Sequence, residues 1–284
     1  MNLEFLGLAE FIKSHTHGKT VYLLYNTGNW GDALIRFGTE KFLNDWKIPY
    51  QRIYPQRYPF DRLKYLKGKI FPSVLLCIGG GAWCGHYPHM AKAVATISAR
   101  HIFDKIIVLP STYDRTFDIP GVIFFRRDQM QSRDAMPSSI FCHDLAFYIG
   151  RLNSLQPTQH VIHCFRTDIE SANVHILPIG NRDLSNEGID TDDVTPFFRT
   201  LESYSEVHTD RLHIGIGTAL LGRKLHLYPG KYFKNRAIYR ASLQPYFENV
   251  VWNEHSNQLL TKEYNDPDAL NYTPNGKASS QRTL

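Results

Sequence analysis

Val21-Tyr22-Leu23-Leu24-Tyr25-Asn26-Thr27-Gly28-Asn29-Trp30-Gly31-Asp32 is a short apolar run that stops at a glycine-bounded turn and gives way to helical periodicity. Five consecutive apolar or aromatic residues suit a strand buried on both faces, as in parallel sheets. Beyond the turn, Ile35, Gly38, Phe42 and Trp46 recur every three or four residues and give a helix one apolar face. Asp32 at its start suits an N-cap. The stretch reads as the first βα unit of a parallel α/β sheet.

The same alternation continues outward. Val74-Leu75-Leu76-Cys77-Ile78 reads as a strand ending in Gly79-Gly80-Gly81. Pro88 to His101 reads as a helix and Lys105 to Leu109 as a strand closed by Pro110. A second series opens with the strand His160 to Phe165 and a strand candidate at Val174 to Leu177. It goes on with a helix at Pro196 to Leu201, a strand at Tyr204 to His208, a helix at Asp210 to Leu221 and a strand at Lys224 to Tyr228. Asn, Ser, Gln and Pro gather between Gly150 and Thr158, as at a join. The expected organisation is two Rossmann-like α/β domains facing a cleft, at 1–153 and 154–265. A polar tail over 266–284 reads as disordered.

Composition narrows the function classes. The chain has 284 residues, 43% hydrophobic, and a formal net charge of +5. No dense Lys/Arg stripe speaks for nucleic acid, and no apolar run approaches the ~20 residues of a membrane span. Met1-Asn2-Leu3-Glu4 lacks the basic stretch of a secretory signal, so a soluble cytoplasmic protein is expected. Leu3, Leu6, Phe11 and Ile12 make the first segment weakly amphipathic; a helix packed on the first domain is the plainer reading, and peripheral membrane contact the other. Cys77, Cys84, Cys142 and Cys164 read as buried free thiols. Cys84-Gly85-His86-Tyr87-Pro88-His89 clusters soft ligands but matches none of the paired spacings of structural zinc sites, so no metal is expected.

The chemistry-bearing stretches lie at the ends of strands, where ligands of open parallel sheets bind. Gly28-Asn29-Trp30-Gly31-Asp32 joins two glycines to a helix start, with room and N–H groups for a ligand; its spacing is neither that of a dinucleotide fingerprint nor that of a P-loop. Gly79-Gly80-Gly81 leaves similar room. Arg166-Thr167-Asp168-Ile169-Glu170 offers an Arg that can fork onto a carboxylate or phosphate, or pair with its own Asp168 or Glu170. His208-Thr209-Asp210-Arg211-Leu212-His213 opens an apolar helix rich in small residues, with Thr209 as the natural cap. Arg211 and His213 are costly at the start of a buried helix unless they meet an anion or another partner.

In this order, the stretches resemble the polysaccharide pyruvyl transferase family. The resemblance runs from about Val21 to Leu243. Besides those above it draws on Val108-Leu109-Pro110-Ser111, Arg127-Asp128 with Ser132, Asp144-Leu145-Ala146-Phe147 and Tyr232-Phe233-Lys234-Asn235. After Leu-Pro the family carries Gln then Ser, whereas here Ser111 and Thr112 follow Pro110. The resemblance implies a fold like that of GT-B glycosyltransferases, phosphoenolpyruvate as donor co-substrate without any cofactor, and a sugar hydroxyl pair on a glycan or lipid-linked oligosaccharide as acceptor. It implies donor binding by Arg166, Arg211, Leu212, His213 and Lys234. Histidine as a residue type is suited to proton transfer near neutral pH, making His213 the candidate acid; Asp144 or Asp32 are candidate bases. Asn29, Asp32, Gly80 and Gly81 are the expected acceptor contacts. A lipid-linked acceptor would bring the protein to the inner face of the cytoplasmic membrane. The competing readings are a nucleotide-sugar glycosyltransferase of the same architecture and a non-catalytic ligand-binding protein of a capsule assembly.

Overall fold

The computed structural model describes residues 1–54, 62–85, 89–168, 170–171 and 177–254. Helix α1 (Asn2–Thr16) leads into β1 (Thr20–Leu24), α2 (Trp30–Asp45), β2 (Gln51–Ile53), α3 (Arg62–Ile70) and β3 (Ser73–Cys77). Then come α4 (His89–Ala99), β4 (Lys105–Ser111), β5 (Val122–Arg126), α5 (Gln131–Ala135) and β6 (Ile140–Phe141). A 3₁₀ turn over Leu145–Ile149 precedes β7 (Gln159–His163), and another over Leu184–Glu187 precedes α6 (Thr195–Glu202). The described residues close with β8 (Tyr204–Thr209), α7 (Leu212–Leu220), β9 (Lys224–Leu227), α8 (Lys234–Ile238) and β10 (Val250–Trp252). The strand candidate at 174–177 and the tail at 266–284 lie outside the described residues, apart from Leu177.

The strands form two all-parallel sheets, ordered β2-β1-β3-β4-β5-β6 and β10-β9-β8-β7. Both are Rossmann-like. In the first sheet, alternate residues serve opposite layers, as the two-residue period of a strand requires. Leu23, Val74, Leu76 and Ile107 pack under α1 and α2, while Tyr22, Leu75, Cys77, Ile106 and Val108 pack under α4. The winding direction reverses between β1 and β3, which opens a crevice beyond their carboxyl ends. The second sheet runs in one direction, and Val207, Leu225 and Leu227 meet α6 and α7 on one face.

A single apolar cluster runs from α1 and α2 into the helix-covered face of the second sheet. Phe5, Leu8, Ala9 and Ile12 of α1 are buried in it, while Leu3 stays exposed. No helix among the described residues is long and apolar enough to cross a membrane. The segment 188–192 clamps the start of α2. Asp190 accepts from the Gly28 N–H at 3.1 Å through Oδ1, Arg36 Nε donates to the Asp190 carbonyl at 2.7 Å, and Trp30 packs edge-on to Phe197.

Gly38 is the tightest point of α2. A Cβ there would lie 2.0 Å from the Leu145 carbonyl oxygen, which is backbone. Gly38→Ala is expected to destabilise the protein by about 2 kcal/mol through overpacking, despite the ~1 kcal/mol that alanine gains in a helix. Urea unfolding of the variant measures the loss; an unchanged midpoint would mean that the 145–149 turn can retreat.

Candidate functional site

A cavity of about 600 Å³ lies between the two sheets. From the first sheet come the β1–α2 turn (Asn26 to Asp32 without Trp30), Gly81 and Ala82 after β3, and Arg127 after β5. From the second come Arg166 and Glu170 after β7, Arg211 to His213 at the start of α7, and Lys234 at the start of α8. Asn29, Asp32, Gly81, Arg166, Arg211, Leu212, His213 and Lys234 all line the cavity. Two expected site residues do not: Gly80 sits beneath it at φ +126° against Ile35, and Asp144 lies one layer behind.

Local chemistry corrects both helix starts. Helix α2 begins at Trp30, and its cap is Asn29 rather than Asp32. Asn29 Oδ1 accepts from the Gly31 N–H at 2.8 Å and Asp32 Oδ2 from the Asn29 N–H at 3.1 Å, a reciprocal capping box. Both side chains are thus tied to backbone before any ligand arrives. Thr209, expected to cap α7, belongs instead to β8; its hydroxyl donates to the Cys164 carbonyl at 2.7 Å and accepts from the Arg211 N–H at 2.9 Å. Arg211 occupies the cap position in extended backbone, and the helix starts at Leu212. Arg211 and His213 thereby flank the open N-terminus of α7, where partial positive charge favours anions.

Behind the cavity runs a buried chain of charges. Arg127, wholly buried, donates through Nε to the Thr112 hydroxyl at 2.8 Å and through Nη1 to Asp144 Oδ2 at 2.5 Å. His213 Nε2 lies 3.3 Å from the same Oδ2. Burial would raise the Asp144 carboxyl, but Arg127 and His213 overcome it and hold the group well below the usual carboxylate range. On the other side of the ring, a Cβ at Gly31 would come within 2.9 Å of His213 Nδ1, so only glycine lets the imidazole lie this close to α2. Arg127 Nη2 finds no hydrogen-bond partner among the described residues. It points towards Gly81, 3.9 Å from where a Cβ would stand. The resemblance draws on Arg127-Asp128 but assigns Arg127 no role, because an Arg after a strand is ordinary until its burial is known.

The remaining cations are already matched by carboxylates. Arg166 forks onto Asp168 at 2.6 and 2.9 Å and also meets Glu170. Arg211 forks onto Asp183 at 2.9 and 2.6 Å, and its Nη1 lies 3.0 Å from Asp168. Lys234 donates to Glu170 at 3.1 Å. The pairing of Arg166 with its near neighbours thus exists, but inside the site rather than on the surface. Asp168 bridges the two arginines and, at 32% side-chain exposure, is more accessible than Asp183 at 8% or Glu170 at 4%. Burial and the neighbouring cations act oppositely on it, and the cations hold its carboxyl down at about 2. Burial pushes Asp32 up.

Asp210 carries the clearest pH signature. Burial raises its carboxyl to about 6, although its Oδ1 accepts from the Arg166 N–H at 2.8 Å. A carboxyl raised on folding contributes stability that is full below pH ~4 and is lost as pH rises through about 6. Asp210→Asn, neutral throughout, is therefore expected to gain about 1–3 kcal/mol on wild type between pH 4 and pH 7. Unfolding at the two pH values tests this; parallel stability curves would contradict it.

All four cysteines are buried free thiols. Cys84 is pushed up to about 11, chiefly by burial; residues 86–88 and the His89 side chain of its cluster lie outside the described residues.

No family model matches the chain, and no curated protein matches it. Among solved structures, the crystal structure of an uncharacterized protein from Klebsiella pneumoniae subsp. pneumoniae is similar, with a TM-score of 0.72 and 25% identity over 88% of this chain and 98% of that one.

Proposed function

We propose that the chain is a pyruvyl transferase, taking phosphoenolpyruvate as donor and a glycan or lipid-linked oligosaccharide as acceptor, on two domains arranged as in GT-B glycosyltransferases. The observation that carries the reading is the convergence of Arg127, Arg166, Arg211, Lys234 and His213 on one cavity between the two sheets. The motif order resembling that family adds the identity of the donor.

Phosphoenolpyruvate has a carboxylate and a phosphate close together, and both need cations. Its carboxylate takes the position of Asp168 between Arg166 and Arg211. Its phosphate meets the N-terminus of α7 and Lys234. Arg127 Nη2, buried and unpaired among the described residues, supplies a further donor at the Gly81 side. Two guanidiniums and a helix N-terminus hold the donor in one orientation, which removes much of the entropic cost of reaction.

The chemistry follows from that orientation. His213 gives a proton to the methylene carbon, which becomes a methyl group, and positive charge develops at the carbon bearing phosphate. One sugar hydroxyl attacks that carbon and loses its proton to a base, for which the raised Asp32 is the cavity-lining candidate. The phosphate leaves with the C–O bonding pair and takes the proton from Asp32, and the neighbouring hydroxyl closes the ketal as its own proton returns to His213. The sum is donor plus diol giving ketal plus inorganic phosphate. Asp144 acts as a positioning residue: buried, ionised and fixed by Arg127, it holds His213 and stabilises its imidazolium.

Heat unfolding separates this reading from its nearest rival. Phosphoenolpyruvate at 100 times its dissociation constant should stabilise the fold by about 2.7 kcal/mol, while nucleotide-sugars do little. Protection by a nucleotide-sugar and none by phosphoenolpyruvate would favour a glycosyltransferase. Protection by phosphoenolpyruvate without phosphate release on any acceptor would favour a binding protein.

A further inference from the structure

The second sheet has a feature outside the cavity. Its helices α6 and α7 cover the face that carries Val207, Leu225 and Leu227. Parallel sheets are ordinarily apolar on both faces, yet here the opposite face carries Glu206 and His208, two apart on β8, and His226 on β9, directly across from His208 in the register. Their side chains are half-buried to buried, at 16%, 8% and 17% exposure.

The three side chains converge. Glu206 Oε1 lies 2.8 Å from His208 Nε2 and 3.2 Å from His226 Nε2, and one ligand atom from each residue falls within 4.8 Å of the others. The two imidazoles are parallel, with centroids 4.3 Å apart, so both Nε2 atoms are presented on the same side. His208 Nδ1 is 3.0 Å from the Tyr228 hydroxyl. A partner on the far ring nitrogen fixes ring orientation and leaves Nε2 for a metal. The Asn253 amide stands 3.5 Å from His226 Nδ1.

We propose that Glu206, His208 and His226 form a binding site for a divalent transition metal, with zinc the best fit. Two imidazoles and one carboxylate are a zinc ligand set that leaves positions for water. Magnesium and calcium prefer oxygen ligands throughout. The ligands come from adjacent hydrogen-bonded strands rather than loops, so little order has to be gained on binding. Metal binding displaces the Nε2 proton that faces Glu206, and small side-chain rotations turn the two Nε2 atoms towards one ion. Lys224, whose Nζ lies 2.9 Å from Glu206 Oε2, is 54% exposed and can swing into solvent as the ion takes its place. The metal would tie β8 to β9 just before Asp210 and Arg211. The site does not depend on the proposed pyruvyl transfer.

Chelator-stripped full-length protein titrated with zinc by calorimetry, and with cobalt followed by its visible absorption, tests the site. One ion per chain is expected, with histidine-nitrogen ligation in the cobalt spectrum and a higher midpoint of heat unfolding. Glu206→Gln and His226→Gln, which keep size and polarity, should each weaken binding at least tenfold. Tyr228→Phe should weaken it by about 10–100-fold through the partner of His208. Circular dichroism confirms that each variant folds. If folded Glu206→Gln and His226→Gln bind zinc within tenfold of wild type, or wild type binds none, the cluster is an ion-pair network and the proposal falls.

Discussion

Replacing His213 with Gln is expected to lower pyruvyl transfer by about 10²–10⁴-fold, while phosphoenolpyruvate still protects the variant from heat unfolding. The separation between the two readouts matters more than the size of the loss. His213 reaches Asp144 through Nε2 at 3.3 Å, and its other nitrogen lies over Gly31 at the start of α2. In the proposed reaction the ring serves proton transfer, whereas the arginines and Lys234 carry most of the charge that meets the donor. Glutamine preserves much of the volume and can still donate to Asp144, but it cannot deliver a proton to carbon. Loss of turnover and donor protection together would instead make His213 a binding residue. Normal turnover would remove it from the chemistry.

The second large effect concerns Arg127. Arg127→Leu strands the Asp144 carboxylate in the interior with the His213 ring as the remaining side-chain partner of its Oδ2. Breaking one side of a buried ion pair typically costs about 3–5 kcal/mol. The double replacement Arg127→Leu with Asp144→Leu removes both charges and should recover much of that stability. It should not recover turnover, because Arg127 Nη2 and the Asp144 support of His213 are both gone. A double-mutant cycle on unfolding free energy measures the coupling. Additive stability losses would mean that the 2.5 Å contact contributes little. Recovery of turnover in the double variant would show that neither residue serves the reaction.

Much of the fold is legible because its central strands are five-residue apolar runs. Strands β1, β3 and β4 stand near where the sequence puts them, and so does β8. The short edge strands are different. Gln51–Ile53 and Ile140–Phe141 are too brief and too mixed to show a period; pairing with a neighbour makes them strands. Val122-Ile123-Phe124-Phe125 in β5 does carry an apolar run, and its absence from the expected strands is a failure of reading rather than of signal.

At the site, Arg211 and His213 are conspicuous because two polar groups open an otherwise apolar helix. Their partners are not. Asp183 reaches Arg211 from 28 residues away and Asp144 reaches His213 from 69, separations that only the tertiary fold closes. The cluster of Glu206, His208 and His226 is hidden for the same reason: the register between β8 and β9 brings His226 across from His208. Capping was misplaced by two or three residues at both α2 and α7, since several Asn, Asp and Thr compete at each start and tertiary hydrogen bonds choose among them.

The most direct test is incubation of the protein with phosphoenolpyruvate and a panel of bacterial surface glycans or their lipid-linked precursors, followed by mass spectrometry of the glycan and assay of phosphate. The account predicts an acceptor that gains the mass of pyruvate less water, with one phosphate released per transfer and neither change in His213→Gln. Transfer of a sugar from a nucleotide-sugar to the same acceptors, with no gain from phosphoenolpyruvate, would contradict it.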